Sequence, residues 1–272
     1  MPLTRATLFA FALLTFLAVI VLFVFSAQTE NYFAWTIQPP VTAAFLGAAY
    51  GGGCVLVALS IRTGAWINAR LPLLTILLFA VLTLIATLLH IDRFHFSAPG
   101  AIAQFAAWFW LIVYIAVPIA LAVVLVAQER MPGGHPPRRL PLPRWVAAML
   151  LIQGSILLIA GVVLYVWPTT ENSTWPWQLT PLTARATGAW LISFGAAALL
   201  ALRENCMIRL QISSLAYGVF GLLELIAALR FAGDLRWDEP AAWLFVIIAT
   251  SIALTGGYGW FAARRYLAEH AS

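Results

Sequence analysis

Lysine is absent from this 272-residue chain; all fifteen basic residues are arginine. Without it there is no amine for a Schiff base, hence no retinal-type pigment, and no phosphate-binding lysine of a P-loop. Charge of either sign is scarce, at 9% of residues. Only two cysteines occur, Cys54 in an apolar run and Cys206 in a loop. They cannot carry a disulfide scaffold and read as free thiols. No His-Glu-x-x-His, Gly-x-Ser-x-Gly or Cys-x-x-Cys appears, so nothing asks for zinc, acyl-transfer or dithiol chemistry. The chain therefore reads as non-enzymatic and without a cofactor. The pI near 9.7 does not indicate nucleic acid, because the arginines sit at the ends of apolar runs rather than in one patch.

What the chain has is apolar surface. Hydrophobic residues make up 63% and the mean hydropathy is +0.94, which implies an integral protein with the lipid bilayer as partner. Eight apolar runs can be marked: Ala6–Ser26, Val41–Ile61, Leu71–Leu89, Ala101–Val126, Trp145–Val166, Pro181–Leu202, one ending at Phe231, and Ala241–Ala263. A run of 21 residues rises about 31 Å as a helix, enough to cross a bilayer. The first run follows Arg5 and looks like a signal peptide, but it is longer than such a core and is expected to be retained. Richness in Ala, Leu and Arg without Lys fits a GC-rich bacterial source, so the location expected is a bacterial inner membrane. On that reading the Asn172-Ser173-Thr174 sequon is chance.

The chain also contains one stretch twice. Thr29-Glu30-Asn31, Pro40, Thr42, Ala43, Gly47, Ala48 and Arg62 recur at one constant offset as Thr170-Glu171-Asn172, Pro181, Thr183, Ala184, Gly188, Ala189 and Arg203. Between Thr29 and His90 the register gives 18 identities in 62 positions. The polar triplet, the Pro, the Gly and the Arg carry the match, since Leu and Ala coincide easily in an apolar chain. The expected fold is therefore all-α, with eight transmembrane helices as two parallel four-helix repeats. Residues 1–127 form repeat 1, the Pro/Arg-rich stretch 128–144 a cytoplasmic linker, and residues 145–272 repeat 2. An even number of spans per copy gives both copies one orientation and an axis along the membrane normal. Gly47, Gly51 and Ala43, with Ala184 and Gly188 in the second copy, have small-xxx-small spacing and are read as packing inside the chain.

Charge orients the set. Eleven arginines and three acids fall on the side of the two termini, a balance of +8. Four arginines and seven acids fall on the other side, a balance of −3. The positive-inside rule then puts both termini in the cytoplasm. Cys206 would accordingly label only from the inner face.

Few residues could carry chemistry. Glu224 lies in the seventh run about seven residues, or roughly 10 Å, from its outer end. A charge there costs about 2.5–3.5 kcal/mol on insertion scales, so it needs a partner or a proton. Arg185 opens the sixth run at matching depth. In the register Glu224 stands for Thr83 and Arg185 for Ala44, so the first copy lacks both. This predicts that the two meet, as structural glue or as a ligand site; a protonated, unpaired Glu224 is the alternative. Glu30, Asn31, Glu171 and Asn172 place a carboxylate and an amide twice on the outer face, either for a ligand or in turns that lead into Pro40 and Pro181. His90 and His95 flank Asp92 and are weak metal or haem candidates, better read as interfacial. Tyr32, Phe33, Trp35, Trp175, Trp177 and Trp237 read as an interfacial belt, with a platform for a sugar or lipid headgroup as the alternative.

The segment Trp177–Trp190, with Arg185, Gly188-Ala189 and Arg203 after the run, resembles uncharacterised bacterial eight-span membrane proteins and is similar to small four-span ones. The resemblance implies architecture and no particular activity. The function expected is binding or moving a small amphipathic ligand at the repeat interface. The alternatives are an accessory subunit docking a membrane-protein partner, and an intramembrane enzyme or haem carrier resting on His90, His95 and Glu224.

Overall fold

A computed structural model describes residues 2–62, 66–131, 137–168 and 175–270, with side chains from Leu8 onward. Helix α1 (Pro2–Val19) runs into a π-helical turn, Ile20–Val24, and is followed by the short α2 (Thr29–Tyr32). Then come α3 (Pro40–Arg62), α4 (Trp66–Leu89), α5 (Ala101–Glu129), α6 (Arg144–Val166), α7 (Pro181–Glu204), α8 (Gln211–Arg230) and α9 (Pro240–Glu269). Among the described residues there is no strand. Seven helices, α3 to α9, are long and apolar enough to cross a membrane. An eighth is added if α1 and its continuation count as one span, although the chain bends by 89° between Leu8–Val24 and Ser26–Tyr32.

Local chemistry sets the helix ends. Pro181 occupies the first turn of α7, where its missing N–H is no loss. Thr180 and Thr183 close a reciprocal cap, with Thr183 N donating to Thr180 Oγ1 at 3.3 Å and Thr180 N to Thr183 Oγ1 at 2.8 Å. The same helix stops at Asn205, whose left-handed backbone (φ 43°) an Asn tolerates well. Pro72 and Pro118 lie within α4 and α5, which continue through them.

The small residues decide which helices touch. A Cβ on Gly47 would stand 2.5 Å from the Phe23 backbone nitrogen, and one on Gly188 would stand 2.7 Å from the Gly161 carbonyl. These glycines therefore serve packing within the chain, α3 on the π turn that continues α1 and α7 on α6, as their spacing implied. The most extensive pairs are α6–α7 and α8–α9, then α3–α8, α1–α3, α4–α7 and α4–α5. Consecutive α7 and α8 are not among the packed pairs. Helices α3 and α7 are the most buried spans, and α5 and α9 are among the least. Outward, α5 exposes Ile102, Phe105, Ile112 and Ile119, a face suited to lipid rather than water.

Two ends can be distinguished. At the arginine-rich end the last part of the linker is stitched to the turn after α7: Met207 N donates to Leu140 O at 2.9 Å and Leu142 N to Asn205 Oδ1 at 3.0 Å. Its acids all have arginine partners, Glu129 with Arg70, Glu204 with Arg138 and Arg209, and Glu269 with Arg265. Cys206 does not have the exposed loop position expected of it. It is buried, and its thiol donates to Arg139 O at 2.9 Å, so it cannot report sidedness. At the aromatic end the two halves interlock. Trp177 Nε1 donates to Thr42 Oγ1 at 2.8 Å, Val41 N donates to Asp234 Oδ2 at 3.2 Å, and Arg230 binds the carbonyls of Phe23 and Val24 that close the π turn.

Candidate functional site

Glu224 is the one acid in the middle of a span, placed by α8 where it faces α6 and α9 across a gap. It is 1% exposed, and neither carboxylate oxygen has a hydrogen-bond partner. It lines a cavity of about 180 Å³ together with Phe45 of α3, Leu157 and Ala160 of α6, Leu191 of α7, and Phe220, Phe245 and Ala249. Leu244, half exposed on the lipid side, stands at its rim. Trp175 and Pro176 border it at the aromatic end, and the Trp175 indole N–H is also buried without a partner. The cavity thus holds one free acceptor and one free donor in an apolar shell and exceeds the room one water needs. Among the described residues, no other acid and no basic residue lines it.

The corresponding place in the first half is closed. Thr83, which the repeat register aligns with Glu224, faces a void of only about 10 Å³ bordered by Leu22, Phe33, Trp35, Tyr50, Phe79 and Trp110. Trp35 packs edge-on to Trp110 with centroids 4.9 Å apart, and Phe33 meets both. In the register Trp35 stands for Pro176 and Trp110 for Ser251, so the second half lacks the two rings that fill the first.

The expected Glu224–Arg185 pair does not form. Arg185 Nη1 lies 2.6 Å from His90 Nε2, on α7 facing the end of α4, whereas Glu224 sits on α8 against α3 and α9. The expectation assumed that α7 and α8 pack on each other along their length, whereas α7 packs chiefly on α6 and α4, and α8 on α9 and α3. Burial, and after it the Arg185 charge, push the His90 imidazole below the usual histidine range, so Nε2 accepts from the guanidinium. His95 Nδ1 donates to Phe33 O and its Nε2 accepts from Thr36 Oγ1, each at 3.0 Å, so this ring clamps the 33–36 turn. The two histidines thus serve different partners, Arg185 for His90 and the 33–36 turn for His95. Among the described residues no group of three or more His, Cys, Asp or Glu converges.

Glu30 and Asn31 are exposed on the turn of α2, away from the cavity. The turn is held by Thr29 instead, whose Oγ1 accepts from Ile37 N at 2.9 Å. Glu171 and Asn172 lie outside the described residues. Of the expected belt aromatics, Phe33, Trp35 and Trp177 are buried as core, while Tyr32 and Trp237 are exposed. Trp177 is fully buried because its indole both packs on Phe45 and Phe245 and finds a hydroxyl.

Two features escaped the sequence reading. Gln153 on α6 donates to Ser251 Oγ at 3.0 Å and Thr255 Oγ1 at 3.1 Å on α9, and accepts from Tyr217 OH of α8 at 3.3 Å. The signal was present, since Tyr217 precedes Glu224 by seven and shares its helix face. Between α1 and α5 lies a larger apolar cleft of about 330 Å³, floored by Tyr50, Phe79 and Trp190. There the Tyr50 and Tyr114 hydroxyls bond to each other.

Among the described residues, fold and site define an all-α bundle of membrane-spanning length with one buried, unpartnered carboxyl in an apolar cavity. Comparison with protein-family models, curated proteins and solved structures finds no match for the chain.

Proposed function

We propose that this protein is a non-enzymatic membrane protein that binds, and moves within or across the bilayer, a small amphipathic molecule at Glu224. The observation that carries this reading is the fully buried carboxyl with no partner, facing a cavity of about 180 Å³ together with an unpartnered indole N–H. Native interiors satisfy such groups, and an intramembrane acid left unsatisfied marks a site whose partner arrives from outside. The ligand fills the aromatic shell with its apolar part and offers a hydroxyl or amine to Glu224. Phe45 of α3 closes the site from the first half, so the cavity borders the interface between halves.

The same proposal includes two fused four-helix repeats in one orientation. It is supported by α3 and α7 starting at Pro40 and Pro181, matched positions of the register, and by turns Ile91–Arg93 and Ala232–Asp234, which keep the same offset. Exchanging the halves also converts the α3–α8 contact into α4–α7 and α1–α3 into α6–α7. On this reading the chain belongs with the bacterial eight-span proteins that its 177–190 segment resembles. Its arginine-rich end, with both termini, then lies in the cytoplasm. A cysteine at exposed Met131 would label with an impermeant maleimide only in opened cells; labelling in intact cells would reverse the orientation.

Decylamine and decanol, titrated against the detergent-solubilised protein, test the ligand reading. Both should raise the melting temperature of the wild type. Glu224→Leu should abolish the response to the amine, and Ala160→Phe, which fills the cavity, should abolish both. Equal responses in all three proteins would overturn the proposal.

A further inference from the structure

Glu224 has a polar network beneath it that the ligand reading does not use. Gln153 lies one helical turn before Leu157, and Ser251 and Thr255 each lie three residues after cavity residues Ile248 and Ile252. Tyr217 lies two turns before Glu224 on the same face of α8, about 10 Å along the axis. The Gln153 cluster therefore forms a layer directly below the cavity, on three of the helices that wall it, α6, α8 and α9.

Below this layer is a second void, of about 70 Å³, lined by Ser213, Ser214, Tyr217 and Thr255 and reaching Leu142 and Met207 at the arginine-rich end. Ser213 Oγ is buried there with no partner. Most of its lining is apolar, but the Ser213, Ser214, Tyr217 and Thr255 hydroxyls give partners to water, and its volume has room for a few molecules against them. The side chain of Phe220 lies between the two voids: it lines the upper one and stacks on Phe194 of the lower one at 4.3 Å.

We propose that Glu224 exchanges a proton with the arginine-rich face through the Tyr217, Ser251 and Thr255 hydroxyls and water in the lower void, so that ligand movement at this site is coupled to protons. The inference rests on the ligand reading for its coupling but not for the exchange itself. A buried carboxyl without a partner is held as the neutral acid, since a bare charge there costs several kcal/mol. Apart from the Trp175 indole N–H, no other described residue lining the cavity would hold or repel a charge. Helix α3 presents Phe45, α7 Leu191, and α6 and α9 only aliphatic and aromatic residues; on α8 itself the one titratable neighbour along the face is Tyr217.

Glu224 gives its proton to a water in the cavity and becomes a carboxylate, and that water passes a proton on to a hydroxyl of the layer. That hydroxyl keeps the new proton and releases its own downward. The net change is one proton delivered to water at the arginine-rich end, and the reverse sequence restores the acid. Gln153 is a positioning residue: its amide holds the Ser251 and Thr255 oxygens, and its carbonyl holds the Tyr217 hydroxyl. A ligand amine arriving in the cavity takes the role of counter-ion and stabilises the carboxylate, which links occupancy to proton release.

Infrared spectroscopy of the reconstituted protein tests this without a ligand. A carbonyl band of a protonated acid should be present in the wild type and missing in Glu224→Gln. On transfer to D₂O that band should shift at once as the acid becomes COOD. In Gln153→Leu/Tyr217→Phe the band should persist but shift at least about tenfold more slowly, a barrier increase of about 1.4 kcal/mol. If the double variant does not fold, Tyr217→Phe alone should slow the shift in the same direction. An acid band that is absent, that never shifts, or that shifts equally fast in the variants overturns the proposal. Failure of decylamine to bind while the band behaves as described would remove the ligand reading and leave proton exchange standing.

Discussion

Thr83 and Glu224 occupy corresponding places in the sequence register of the two halves, and their surroundings have gone opposite ways. Around Thr83 the rings of Phe33, Trp35 and Trp110 leave about 10 Å³; around Glu224 there is about 180 Å³. Both side chains have oxygens without partners, but an orphaned hydroxyl costs far less than an orphaned carboxyl. The first half has spent this position on packing and joins two of its other buried hydroxyls, Tyr50 and Tyr114, to each other. The second has kept an unfilled, unsatisfied place. On the repeat proposed above, one half uses this position for packing and the other leaves it open.

Moving the carboxyl across the register breaks the comparison most severely. Thr83→Glu places an acid where there is neither room nor partner, and should cost more than about 4 kcal/mol, seen as loss of the folded fraction in detergent. A Thr83→Glu protein that melts like the wild type would mean that the first niche opens as readily as the second.

Opening the filled niche has the next largest effect. Trp35→Ala removes a ring packed against Phe33, Phe94 and Trp110 and should destabilise by about 3–5 kcal/mol. It should also create a cavity that takes up xenon, detectable by pressurised crystals or by NMR.

Glu224→Leu should change stability by no more than about 1 kcal/mol, in the stabilising direction, because it replaces an unsatisfied group by an apolar one of similar size. Chemical denaturation would check it. A large loss would mean that the carboxyl has a structural partner, and the contrast with Thr83 would collapse.

The smallest effect concerns pH. The folded pKa of His90 is lowered, so its share of stability is fully present above the unfolded value near 6.5 and is lost as pH falls through the folded value. The wild-type melting temperature should dip on acidification, and the dip should shrink in His90→Gln. Since this site lies at the end of α4 and not in either niche, Glu224→Leu should leave the dip unchanged.

Much of the architecture was legible in the chain. Helix α3 was expected at Val41–Ile61 and is found at Pro40–Arg62; α5 was expected from Ala101 and begins there. Pro at the first turn, apolar runs of bilayer length and Gly spacing are local properties that act over a few residues. The glycine faces could be assigned to packing for the same reason: a missing Cβ admits a backbone whichever helix supplies it. Glu224 stood out because a single acid in an apolar run is rare and expensive. The interfacial reading of Trp35 and Trp177 failed on a longer-range fact, that the loops fold inward over the helix ends.

The sequence by itself determined the helices, their apolar runs, the charge asymmetry of the two ends and the place of Glu224 as a single acid in an apolar run. Only the tertiary structure decided that α7 turns to α6 and α4 while α8 turns to α3 and α9, which separates Arg185 from Glu224 and gives it His90 instead. It alone placed Trp175 over an open cavity and Gln153 beneath it. The physical reason is that hydropathy specifies how much surface a helix must cover, whereas the choice of neighbour depends on the summed fit of small residues such as Gly47, Gly161 and Gly188 against backbones far away in the chain.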